Sequence, residues 1–265
     1  MSRLSRPPAR STDPNDYQDL PRAVAGMAKS FADGHEIGLH HHPRDQLLYA
    51  LSGIMRIRTA REAWIVPPDR AVYIPAGTGH SVSMRGAVEM RTLYIKAGSA
   101  PDLPDAPVAI QVTDLLRALI MALIEEPLLY DEAGRGGAIA GLIQSEIARA
   151  GRLSLVVPMP ADARLSRMCL ALLAEPSDAR TLDQWAGLAG ASPRTLARLF
   201  RDQVGLSFAV WRQRVRFHNA LEALVKGEPL VRVAARNGYR SPSAFSAAFR
   251  KAMGVAPSAL RERRD

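Results

Sequence analysis

The chain has 265 residues, 47% of them hydrophobic, enough for two compact domains with cores of their own. A lone cysteine, Cys169, excludes an internal disulfide framework and fits a reducing compartment. No apolar run reaches membrane-spanning length, and the N-terminal stretch MSRLSRPPARSTDPNDYQDL lacks a secretory apolar segment, so a cytoplasmic protein without a membrane partner is expected. The net charge of +9 is segregated: residues 161–265 hold 18 Lys and Arg against 9 Asp and Glu, whereas residues 1–160 hold 17 of each. A solvated basic surface explains the sign but not the segregation, which points to a domain built for a polyanion.

In chain order, residues 1–17 are polar and Pro-containing, which predicts a disordered tail. Residues 18–100 predict a small all-β sandwich or barrel. Leu47–Leu51, Met55–Thr59, Ala63–Val66, Ala71–Ile74, Ser81–Met84 and Glu89–Lys96 are apolar or alternating, and turn signals such as Ser52-Gly53 and Arg85-Gly86 separate them. A Pro/Gly-rich linker follows over 98–108. Leu115, Leu116, Leu119, Ile120, Leu123 and Ile124 then repeat at helical spacing, and Ala138–Ala150 predicts a second helix. This region, 101–160, suits a homodimer interface, although its apolar stripe could equally pack on its own barrel. Pro158 and Pro160 mark a boundary, and residues 161–265 read as helices with short turns. The expected fold class is α+β: an N-terminal barrel and a C-terminal all-α domain.

The helical half contains a repeat. Gly190-Ala191-Ser192-Pro193-Arg194-Thr195-Leu196-Ala197-Arg198-Leu199-Phe200-Arg201 returns as Gly238-Tyr239-Arg240-Ser241-Pro242-Ser243-Ala244-Phe245-Ser246-Ala247-Ala248-Phe249-Arg250, with Gly205 and Gly254 following. Ala186 and Ala234 each stand four residues before the glycine. A small residue lets two helices cross closely, and a glycine four positions on permits the tight turn between them. Ser192 and Ser241 are expected N-caps, with Pro193 and Pro242 in the first helical position. Leu196, Leu199 and Phe200 make a core face, repeated by Phe245, Ala248 and Phe249. Arg194, Ala197, Arg198 and Arg201 line the other side at i, i+3, i+4, i+7. Between the units, Ser207–Lys226 predicts a helix of about 30 Å, which can set two recognition helices in neighbouring major grooves about 34 Å apart.

This half resembles the AraC/XylS family of transcription regulators over about residues 165–262. The most specific part is Ala234-Ala235-Arg236-Asn237-Gly238-Tyr239 through Arg250-Lys251, then Gly254-Val255-Ala256-Pro257. The resemblance implies two helix-turn-helix units on double-stranded DNA, a small-molecule effector of unknown identity, and a homodimer, with RNA polymerase as a candidate partner. Base contacts carried over by position are Arg194, Ala197 and Arg198 in the first unit and Ser243, Ser246 and Ala247 in the second. Thr195, Arg201, Arg240, Arg250 and Lys251 complete the DNA-binding set. Many relatives have Arg where this chain has Ala247, so the second unit is expected to contact phosphate more than bases.

The N-terminal half carries Gly34-x5-His40-x-His42-x3-Gln46-x6-Gly53 and Pro75-x-Gly77-x2-His80. These resemble the two halves of the cupin signature. Gln46 replaces the usual Glu, Asp69 the usual initial Gly, and Met84 the usual final Asn. The resemblance makes His40, His42, Gln46 and His80 the candidate effector-binding residues and a candidate divalent-metal set, with His40 and His42 alternating on one strand. The same histidines could simply satisfy hydrogen bonds at the barrel mouth. The expected function is effector-responsive transcription control, without catalysis. The alternative is a metal-dependent cupin enzyme, a dioxygenase or isomerase, against which stand the lost carboxylate and the absence of an evident general base.

Overall fold

A computed structural model describes residues 11–68, 70–153, 156–253 and 256–258. Asp69, Gly254 and Val255, singled out above, lie outside the described residues, as do 1–10 of the expected tail and 259–265 of the helical half. The chain divides into two units, Met1–Ile57 with Val66–Arg152, and Arg58–Ile65 with Leu153–Asp265.

The first unit is a two-sheet cupin barrel. Its strands are β1 (Val24–Phe31), β2 (Glu36–His40), β3 (Asp45–Ala50), β4 (Ile54–Thr59), then, after β5 (Glu62–Val66), β6 (Arg70–Ile74), β7 (His80–Arg85), β8 (Val88–Ile95), β9 (Val108–Gln111) and β10 (Arg152–Leu153). One sheet runs β1-β8-β3-β6-β9-β10, and the other contains β4-β7-β2. The β1–β8 ladder is antiparallel from Val24↔Ile95 to Phe31↔Val88. All six residues of β3 are buried, because Leu47 and Tyr49 face the helices described next while Gln46 and Leu48 point to the opposite face. Those helices are α1 (Asp114–Glu125), capped by Thr113, and α2 (Arg135–Arg149). Leu116, Leu119, Ile120 and Leu123 of α1 and Ile139, Ile143 and Ile147 of α2 join one core with Leu47, Tyr49, Tyr73, Leu93 and Ile110. The apolar stripe therefore packs on its own barrel, each such side chain contributing roughly 1.5–3 kcal/mol. Leu115 and Leu142 remain half exposed on the outer surface.

Three features differ from the sequence reading. Pro14–Tyr17, expected within a disordered tail, form a 3-10 turn whose Tyr17 is fully buried. β1 carries small residues with little strand preference, because α1 lies close against it: a Cβ on Gly26 would come within 2.8 Å of Ile124. Helix α2 starts three residues earlier than its apolar pattern, on Gly136 and Gly137, where added Cβ atoms would collide with Tyr130 and Glu132.

Among its described residues the second unit holds β5, paired antiparallel with β11 (Val156–Pro158), and six helices. These are α3 (Ala163–Ala174), α4 (Leu182–Leu188), α5 (Pro193–Val204), α6 (Phe208–Val225), α7 (Leu230–Arg236) and α8 (Pro242–Met253). Thr181 and Gln184 close a capping box on α4, and Ser192 caps α5 through the Thr195 N–H. Ser241 accepts from the Ala244 N–H at the start of α8. The α4–α5 and α7–α8 turns pass through Gly190 (φ 61°) and Gly238 (φ 80°), where a side chain would be strained. Leu196, Phe200 and Trp211 centre one core with Ala186 at its helix crossing. Phe217, Phe245 and Phe249 form a second aromatic cluster, with centroids 5.4–5.8 Å apart. No helix among the described residues is long and apolar enough to cross a membrane.

Candidate functional site

Helix α5 presents two chemically distinct sides. Leu196 and Phe200 are fully buried, whereas Arg194, Arg198 and Arg201 are exposed and Thr195 and Ala197 are half-buried beside them. Leu199, expected in the core face, is only half-buried. Arg198 is not a bare cation: its Nη1 lies 3.1 Å from Asp202, one turn on, an acidic partner at helical pairing distance. On α8, Phe245 and Phe249 are buried while Ser243, Ala247, Arg250 and Lys251 are exposed, as is Arg240 in the preceding turn. The Ser246 hydroxyl donates to the Pro242 carbonyl at 2.7 Å, so its proton is directed into the helix's own backbone.

In the barrel, His40, His42 and His80 converge. Each offers a ring nitrogen, and these lie within 4.8 Å of one another. The ring centroids are 4.3 Å apart for His40–His80, 4.9 Å for His40–His42 and 5.7 Å for His42–His80. The β2–β7 register places His40 directly opposite His80, after an irregularity beyond Ile37. Strand β2 ends at His40, so His42 reaches the cluster from the connection to β3 and not by strand alternation. The middle histidine, His41, is exposed and outside the cluster. Nδ1 of His40 and of His80 lie 2.8 and 3.0 Å from the carbonyls of Gly38 and Thr78, which leaves Nε2 of each as the nitrogen for a ligand. Nε2 of His80 is buried without a hydrogen-bond partner, as is Oε1 of Gln46. Burial, reinforced by the neighbouring imidazoles, pushes His42 and His80 down to about 4, so both rings are neutral near pH 7. Asp45, beside Gln46, is occupied elsewhere: it accepts from the Tyr73 hydroxyl at 2.7 Å and the Ala76 N–H at 2.8 Å.

Residues not singled out in the sequence complete this surround. Tyr94 packs 5.1 Å from His42 and 5.7 Å from Tyr17. Arg44 is buried and donates to the carbonyls of Gln18, Leu20 and Arg22, pinning the segment that follows Tyr17. Arginine is ordinarily a surface residue, so nothing in its sequence context marks this role.

Comparison with known proteins agrees with both halves. A helix-turn-helix domain model matches residues 185–263, and a cupin domain model matches residues 29–96. The HTH-type transcriptional regulator NimR of Escherichia coli is 32% identical over 235 residues, covering 89% of this chain and 86% of that protein. The HTH-type transcriptional regulator RipA of Corynebacterium glutamicum is 33% identical over 101 residues, 38% of this chain and 30% of its own. Among solved structures, the C-terminal domain of AraT, a response regulator from Geobacillus stearothermophilus, is 32% identical, covers 39% of this chain and 87% of that one, and has a TM-score of 0.34. A cupin barrel, a double helix-turn-helix domain and a regulator alignable along most of both chains lead to one conclusion: this protein belongs to the AraC-type family of helix-turn-helix transcription regulators and binds DNA.

Proposed function

We propose that the chain is an effector-responsive transcription factor, acting on DNA in the cytoplasm as a homodimer, with a small molecule sensed at His40, His42, Gln46 and His80. The observation that carries this reading is the convergence of three imidazoles, one of which, His80, keeps its Nε2 buried without a partner, as Gln46 keeps its Oε1. Buried polar atoms without partners are costly, and a bound ligand satisfies them. The three imidazoles also suit a borderline divalent ion such as zinc, which would be held by His40, His42 and His80 with Gln46 as a weak neutral neighbour. Such an ion would supply an open coordination position for a donor atom of the effector. A catalytic role is not part of the proposal: Gln46 has no charge to offer, and Asp45 is committed to Tyr73 and Ala76.

On the DNA side, Arg194, Ala197 and Arg198 of α5 read bases, with Thr195 and Arg201 beside them in the DNA-binding set. Ser243, Ser246 and Ala247 of α8 read less, and Arg240, Arg250 and Lys251 hold phosphate. The half-exposed Leu115 and Leu142 on α1 and α2 support a second copy docking there. RNA polymerase is the partner an activator of this kind would meet. The experiment compares DNA affinity and reporter output, with and without inducer, for wild type and His42→Ala, beside a metal analysis of the purified protein. The mutant is expected to lose the response and keep DNA binding. A mutant that responds normally rules out the pocket, and a responsive wild type free of metal removes the ion alone.

A further inference from the structure

The base-reading account leaves one cavity of the second unit unused. A notch of about 170 Å³ lies between α6 and the α7–α8 turn, walled by Arg212, Gln213, Arg216 and Phe217 on the helix and by Asn237 and Tyr239 on the turn. Arg212 and Arg216 are one helical turn apart and share this side of α6. Both are held in place by backbone carbonyls: Arg212 Nη1 donates to Arg180 at 2.8 Å, and Arg216 Nε to Pro176 at 3.4 Å. The Arg212 guanidinium also lies 5.2 Å above the Phe208 ring. The Tyr239 ring is fixed by stacking on Phe217 at 6.1 Å, and its hydroxyl accepts from the Gln213 amide at 2.6 Å, which leaves the phenolic proton to donate.

Neither guanidinium has a carboxylate at ion-pair distance among the described residues. Asp178 acts on Arg212 through space, but its own partner is Arg180, at 3.3 Å. Burial and the Arg216 charge both weaken Arg212's hold on its proton. Two guanidinium groups and a hydroxyl donor thus share a small cavity, and guanidinium forks match the oxygens of a phosphate.

The position of the notch in the fold names the source of that phosphate. In a helix-turn-helix unit the first helix crosses the DNA backbone and the second enters the major groove by its N-terminal end. Tyr239 stands three residues before Pro242, the first residue of α8, so the notch is at the groove-entering end of that helix. Helix α8 carries Ala247 and small hydroxyl residues on its exposed side, and phosphate contacts can fix its register where base contacts are few. We infer that Arg212, Arg216 and Tyr239 form a seat for one backbone phosphate of the bound duplex, between the two recognition helices. The inference rests on the DNA-binding function of the family and adds residues outside both recognition helices.

The test measures binding of the full chain to a duplex of about four helical turns taken from upstream of its own gene, over a range of potassium chloride concentrations. Each lost phosphate contact lowers the slope of log affinity against log salt by about 0.9. Arg212→Gln is expected to lower the slope by that amount and weaken binding severalfold, while Arg212→Lys retains most of the slope. Arg149→Gln, an exposed charge on α2, is expected to leave it unchanged. If Arg212→Gln does not fold, Arg216→Gln carries the same expectation. A lower melting temperature with an unchanged slope would show that the arginines only tie α6 to the 176–180 segment, and would overturn the assignment. A second arm compares sodium phosphate with sodium chloride at equal ionic strength. Phosphate that stabilises wild type but not Arg212→Gln, with an unchanged DNA slope, would make the notch a site for a free anion and would equally overturn it. A wild type with no affinity for any duplex contradicts the DNA-binding function itself.

Discussion

Arg198 and Arg250 carry the same charge on corresponding sides of two related helices, yet different work is expected of them. Arg198 projects from the middle of α5, and its exposed ion pair with Asp202 is worth at most about 1 kcal/mol, too little to hold it back from a base edge. Arg198→Ala is expected to cost about 1–3 kcal/mol of binding and to relax specificity at one base position. Arg250 lies in the last turn of α8, away from the end that enters the groove, and Arg250→Ala should weaken binding evenly on specific and random DNA while lowering the salt slope. Affinity curves on both kinds of duplex check the pair; equal losses on both for Arg198→Ala would remove it from base reading. In the barrel, the resemblance to the cupin signature put His40, His42 and His80 together with Gln46, and antiparallel pairing sets His40 against His80. The route of His42 was not legible, since the end of a strand depends on where its ladder partner stops. Tyr94 and Arg44 were illegible for a related reason: their roles come from residues 50 or more positions away in one case and from the folded N-terminal segment in the other.

At the scale of elements, the duplicated helix-turn-helix was the most legible part of the chain, because its signals are local. A serine cap, a proline in the first turn and a glycine at positive φ act within a few residues of one another. Strands β1 and β9 were harder to read. The former is shaped by α1 packing against Gly26, and the latter is a short four-residue strand that follows a Pro/Gly-rich stretch. The buried rings give a direct test of the helix phase. Phe200 packs 5.6 Å from Trp211 and Phe249 packs 5.6 Å from Phe217, and all four rings are buried. Phe200→Ala or Phe249→Ala is expected to cost roughly 3–5 kcal/mol and to unfold its own helix-turn-helix unit. Melting followed by circular dichroism checks this; a near-normal transition in either variant would contradict the assigned core faces.

At the scale of the whole molecule, the segregated charge and the two units tell the same story of a neutral barrel and a basic helical domain. The second unit begins before its first helix. Val157 and Met159 belong to its core, and the Trp211 indole donates to the Pro158 carbonyl at 2.7 Å. A fragment of residues 153–265 is therefore expected to melt higher than one of residues 161–265, which lacks all three groups, and to bind duplex DNA without the barrel. Equal melting temperatures would show that β11 without its partner β5 adds nothing to this core. The central claim is that two helix-turn-helix units joined by α6 grip successive major grooves. Its most direct test is methylation protection by the full chain on a duplex selected from genomic DNA. The account predicts two protected major-groove patches about one helical turn apart, with Arg198→Ala erasing protection in only one of them. A single patch, or protection independent of sequence, would contradict it.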